Sequence, residues 1–152
     1  MVLLDSLATL RRLLPGLWAG LLLGVAGLAT PAPFALLAQA EAGRVVARVL
    51  MHEAYISLAL GTLLLVLERL AARQSAALGG SQFSTGMVLA LATLFCTVAG
   101  YFALQPVMAA ARLGQGSLTF GQLHAISAAF FIVKLGLVLA LAWRGVHPAR
   151  TT

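Results

Sequence analysis

Glu41-Ala-Gly-Arg-Val-Val-Ala-Arg-Val-Leu-Met-His-Glu-Ala-Tyr55 opens an apolar segment that runs on to Leu67. At about 100° per residue, Glu41, Arg44, Arg48, His52 and Tyr55 fall within roughly 80° of arc, a polar stripe entering a hydrophobic helix. Glu53 lies about 100° round from His52, on a separate face. An ionisable group at membrane depth is costly unless it meets other protein or a wet cavity. The stripe is therefore expected to pack against the other helices, which form its wall.

Composition places those helices in a bilayer. Of 152 residues, 61% are hydrophobic and 9% charged, and mean hydropathy is +1.00. A soluble domain carries roughly 25% charged residues. The length suits one bundle with no separate soluble domain. The pI near 11.2 raises nucleic acid as a partner. The ten basic residues are dispersed, however, with no run and no aromatic-basic surface pattern, so nucleic-acid binding is not expected. Cys96 stands alone, which excludes an internal disulfide and a multi-cysteine metal site and leaves it as a small packing residue.

Four spans follow, at about 13–37, 45–67, 84–104 and 120–143. Each reaches the roughly 20 apolar residues that cross a bilayer. Residues 1–12 read as a short amphipathic piece, so that Pro15 takes a tolerated first-turn position. Pro31 and Pro33 are expected to kink or end the first span. The Arg11-Arg12 pair, the apolar run and Ala38-Gln39-Ala40 imitate a signal peptide, but the run is too long and the triplet lies beyond it, so an uncleaved helix is expected. Gln74 to Ser84, with Gly79-Gly80-Ser81, reads as a loop, and Gly114, Gly116 and Ser117 as a turn. Gln105-Pro106 marks the end of the third span, and Arg144-Gly145 with Pro148 stops the fourth. The expected fold is all-α, an integral membrane four-helix bundle running up-down-up-down. Gly16, Gly20 and Gly24 form overlapping G-x-x-x-G units, with Gly27 near the same face. Tight packing inside the bundle is the expected use of that face, and a homo-oligomer seam the other.

Lys and Arg near the spans set orientation. Arg11, Arg12, Arg69, Arg73, Arg144 and Arg150 fall on one side, and Arg44, Arg48 and Arg112 on the other. That balance puts both termini in the cytoplasm of a bacterial-type inner membrane, although Arg44 and Arg48 crowd one short connection. Trp18 and Trp143 lie near the cytoplasmic ends of their spans, where aromatic anchors belong.

The fourth span carries a second polar line, His124, Ser127 and Lys134, within about 80° of arc. With Arg44, Arg48, His52, Glu53 and Gln105 it is expected to form a cationic cluster between the second and fourth helices, toward the outer half of the bundle. Arg112 and Gln122 border the same level, and Glu53 and Glu41 are the acidic partners at hand. Three uses compete. The first is structural, with interhelical hydrogen bonds and ion pairs worth about 0.6–2 kcal/mol each. The second is a haem b site with His52 and His124 as axial ligands; Cys-x-x-Cys-His attachment is absent. The third is copper held by Met51, His52, Met87, Cys96 and Met108, whose side chains are scattered over depth. Lys134 either pairs with Glu53 or reaches lipid and water by snorkelling, and the two placements stand level. His147 reads as solvated tail. No phosphate loop, His-Glu-x-x-His motif, nucleophile elbow or carboxylate pair is present, so hydrolytic chemistry is not expected.

Trp18-Ala-Gly20, Pro31, Phe34, Ala42-Gly43-Arg44 and Phe120-Gly-Gln-Leu-His124-Ala-Ile-Ser127 together resemble the domain of unknown function 4149 family, small transmembrane protein 205-like four-helix membrane proteins. The resemblance extends from about Leu13 to Trp143. It implies an integral membrane protein whose biochemical activity is not established. The family often has Asn seven residues after the fourth-helix His; this chain has Phe131 there, which removes a polar partner. A distant similarity to copper-resistance domains and to a haem-binding protoporphyrinogen oxidase keeps metal and haem in view.

The expected function is that of a structural or accessory membrane protein with no bound cofactor, partnered by the bilayer. A haem- or metal-binding redox protein is the alternative. Passage of a small solute or ion along Arg44, Arg48 and His124, in an oligomer, is the third.

Overall fold

In the computed structural model, which describes residues 2–77 and 79–147, every regular element is helical. Helix α1 (Val2–Gly24) passes through a π-helical turn, Val25–Ala29, into α2 (Pro31–Leu36). Then come α3 (Gln39–Ala77), α4 (Thr85–Thr97), a second π-helical turn at Val98–Ala103, α5 (Leu104–Arg112) and α6 (Phe120–Val146). Four helical units are long and apolar enough to cross a membrane: Asp5–Leu36, Gln39–Ala77, Thr85–Arg112 and Phe120–Val146.

These limits correct the expected ones in three places. Residues from Val2 on belong to α1, so Pro15 stands inside a helix and is buried there. The Arg11 carbonyl thereby loses its i+4 amide donor. Helix α3 runs through Gln74 to Ala77, well past Leu67. Its end is closed by Gly79, at φ 88°, a conformation that costs glycine no Cβ clash. The third unit continues through Gln105-Pro106 to Arg112. Its π turn ends three residues before Pro106 and widens the backbone spacing just where a proline ring would strike a preceding carbonyl. Helix α6 then starts from a capping box, in which Thr119 and Gln122 bond each other's backbone N–H groups. Pro148 and Arg150 lie outside the described residues.

The bundle runs up-down-up-down. Helix α1 packs against α3 and α6, and α4 packs against the same two, which sets α3 and α6 across the diagonal. The apolar core fills one half: Leu14, Trp18, Ala19 and Leu22 meet Leu64, Leu67, Ala90, Val138 and Leu141. Close approach uses glycines other than the G-x-x-x-G set. A Cβ on Gly61 would lie 2.8 Å from Leu94 Cδ2, one on Gly145 would lie 2.9 Å from the Arg12 carbonyl oxygen, and one on Gly100 would strike Phe130 Cβ. At Gly16, Gly20, Gly24 and Gly27 a Cβ would meet nothing within 4 Å. Tight packing of that face inside the bundle is therefore overturned. Helix α1 buries Leu14, Trp18 and Leu22 instead, and the π turn that follows buries Val25, which turns the glycines outward.

Candidate functional site

Buried positions on α3 recur at Ala42, Val46, Glu53, Ser57, Gly61 and Leu64, the spacing of one helix face. Glu53 rides on that face, so its carboxylate enters the bundle while the stripe beginning at Glu41 turns out. Lys134, buried on α6, reaches across the diagonal, and its Nζ donates to Glu53 Oε1 at 2.6 Å. Ser57, one turn along α3, donates from Oγ to the same oxygen at 2.5 Å. Trp18 Nε1 on α1 donates to Ser57 Oγ at 3.0 Å. Exposure is 4% for Glu53 and Lys134 and zero for Ser57 and Trp18, so no part of this chain of bonds is screened by solvent. The Lys134 ammonium also lies 4.9 Å from the centre of the Phe131 ring, within cation–π range. Phe131 is where the resembled family often carries Asn.

A buried charge pair of this kind joins helices in one register but contributes less net stability than its short distance suggests, because both ions have left water. Its remaining chemistry is limited. The carboxylate and the ammonium satisfy each other, and among the described residues every buried side-chain nitrogen and oxygen has a hydrogen-bond partner.

Of the expected cluster, Glu53 and Lys134 come together, and no hydrogen bond or ion pair joins Arg44, Arg48, His52 or His124 to them. Arg44 pairs with Glu41 of its own helix at 3.9 Å, with both side chains largely exposed. Arg48 is exposed, and its carbonyl accepts from His52 Nδ1 at 2.8 Å. His124 is exposed and stacks on Phe120, one turn away, while Gln105 is exposed on α5. His52 and His124 thus lie on the outside of helices that face each other only across the diagonal. Ser127 does cross between helices, donating to the Gly100 carbonyl at 2.6 Å. No group of three or more His, Cys, Asp or Glu side chains that could hold a metal ion occurs among the described residues.

Lys134 is the one expected site residue whose two placements the structure separates: it faces protein. Trp18, expected at the interface, is instead fully buried, whereas Trp143 is 68% exposed. Ser57 was legible only as the i+4 neighbour of Glu53. A second network, which no motif in the sequence announces, lies at the end of the bundle where α1 starts: Glu68 accepts from Arg11 at 3.4 Å and from Ser84 Oγ at 3.0 Å. Ser84 also caps α4 by accepting from the Met87 amide.

The family model for the domain of unknown function DUF4149 matches residues 13–117. The chain belongs to the DUF4149 family. That match takes in Trp18, Glu53 and Ser57 and stops before α6, so Lys134 and the resemblance quoted over Phe120–Ser127 stand outside it. Neither the curated proteins nor the solved structures provided a match. This DUF4149 chain is therefore a four-helix membrane protein of a family whose function is unknown.

Proposed function

We propose that this DUF4149 protein is a structural or accessory component of a bacterial-type inner membrane, with both termini in the cytoplasm and no catalytic role. Its polar centre holds helices rather than a ligand. The observation that supports this reading is the Trp18–Ser57–Glu53–Lys134 chain, which ties α1, α3 and α6 together and leaves its charges engaged with each other. Cytoplasmic termini are supported by charge. Arg11, Arg12 and Arg144 lie at the end where α1 starts and α6 finishes, with Arg69 and Arg73 on the last turns of α3. Arg44, Arg48 and Arg112 belong to the opposite end, and cytoplasmic sides carry the excess of Lys and Arg.

The test is a visible spectrum of the protein purified in mild detergent, oxidised and then dithionite-reduced, with metal analysis of the same sample. The expected result is a featureless spectrum, together with a lowered unfolding midpoint for Glu53→Gln. A stoichiometric Soret band that disappears in His52→Ala or His124→Ala would overturn the proposal in favour of a haem protein.

A further inference from the structure

Where the start of α1 meets the end of α6, a cleft of about 230 Å³ opens between Arg11, Arg12, Glu68, Arg144 and His147, above the buried Pro15 and Leu141. Gly145 makes this meeting possible, since any side chain there would press on the Arg12 backbone. Three guanidinium groups thus line the cleft against one carboxylate. That carboxylate is already engaged, by Arg11 and by the Ser84 hydroxyl. Arg12 and Arg144 have no carboxylate within ion-pairing distance among the described residues, and both are exposed. Their planar donor forks suit phosphate oxygens.

The surroundings of the cleft are those of a membrane interface. Leu13 and Leu17, which follow Arg12, are 60% and 71% exposed, and Trp143, beside Arg144, is 68% exposed. The Trp143 ring stacks on His147 with centroids 4.3 Å apart, an amphipathic pair at the end of a span. Leu13, Leu17 and Trp143 do not line the cleft itself. They turn out of the bundle close along the chain to its arginines and form an apolar border at that level, a place for the acyl end of a lipid whose headgroup sits in the cleft. A free phosphate would use the cations and leave the apolar border without a role.

We propose that this cleft binds the phosphodiester headgroup of an anionic phospholipid through Arg12 and Arg144, with the acyl chains lying along Leu13, Leu17 and Trp143. Basic pockets between transmembrane helices on the cytoplasmic side are a recurring site for such headgroups. The site does not depend on the structural role assigned to the Glu53–Lys134 pair.

The experiment titrates the full chain, delipidated in mild detergent, with phosphatidylglycerol, phosphatidylcholine or inorganic phosphate, and follows the thermal unfolding midpoint. Phosphatidylglycerol is expected to raise the midpoint, and the other two are not. Arg12→Gln with Arg144→Gln should weaken half-saturation by about thirtyfold, and Arg144→Gln alone by about fivefold, as expected for cations at an anionic surface. Arg69→Gln with Arg73→Gln removes equal charge from the same end outside the cleft and should leave half-saturation unchanged. The lipid-free midpoint of each variant checks that it folds, and the single variant carries the test should the double one not. Equal stabilisation by inorganic phosphate would assign the cleft to a soluble anion and overturn the lipid. Equal weakening in both double variants would reduce the effect to diffuse surface charge, and no response to phosphatidylglycerol would remove the site altogether.

Discussion

Removing one member of the Glu53–Lys134 pair strands a charge in a place that neither water nor another ion reaches. Breaking such a pair from one side costs about 3–5 kcal/mol, most of it the burden of the partner left behind. Glu53→Gln and Lys134→Met are each expected to lose stability on that scale, whereas the double variant should recover much of it, because the uncompensated ion is gone. Denaturation in detergent across the four proteins measures the coupling, and purely additive losses would contradict the geometry. His52 and His124, by contrast, are exposed, the one hydrogen-bonded to Arg48 and the other stacked on Phe120 of its own helix. His52→Ala and His124→Ala should each shift unfolding by no more than about 0.5 kcal/mol. Their stripe was legible as a periodicity, but periodicity does not say which face of a helix turns inward. On α3 that choice fell to Ala42, Ser57 and Gly61, small residues that let neighbouring helices come close.

The π turns at Val25–Ala29 and Val98–Ala103 explain how the first and third units carry prolines without ending at them. A π turn widens the hydrogen-bond ring and frees backbone acceptors. In the third unit the Gly100 carbonyl is taken up by Ser127 of α6, and the missing Cβ of Gly100 makes room for Phe130. Gly100→Ala is therefore expected to cost about 1–3 kcal/mol through overpacking, since Phe130 Cβ sits too near its own backbone to give way. Gly20→Ala should be neutral or raise the unfolding midpoint slightly, because open space surrounds that position and alanine favours the helix by about 1 kcal/mol. Melting both variants in one detergent checks the contrast; a larger loss for Gly20→Ala would restore the G-x-x-x-G face to the interior of the bundle. The end of the third helical unit departs from the sequence expectation for the same local reason. Gln105-Pro106 carries a helix-ending signal that the preceding π turn cancels, and a π turn has no sequence signature comparable to a proline.

Across the whole molecule, charge and burial are segregated along the bundle axis. The apolar core occupies the half toward Arg11, Arg12 and Arg144, with the Glu53–Lys134 pair further in. In a Cys96→Ser background, Gln115→Cys in the turn before α6 should react with a membrane-impermeant thiol reagent in intact cells. Ser81→Cys, in the loop before α4, should react only after permeabilisation, as cytoplasmic termini require. The reverse pattern would invert the topology.

Sequence by itself determined the membrane class, the all-α architecture, the existence of four spans and the family. These rest on hydropathy, length and local motif, which are additive along a chain. Only the tertiary structure decided that Lys134 meets Glu53, that Trp18 leaves the interface for Ser57, and that the glycine face of α1 stays open. Each of those depends on how helices are rotated and paired. Rotation is set by the sum of many weak packing contacts between segments distant in sequence, and no single residue announces it.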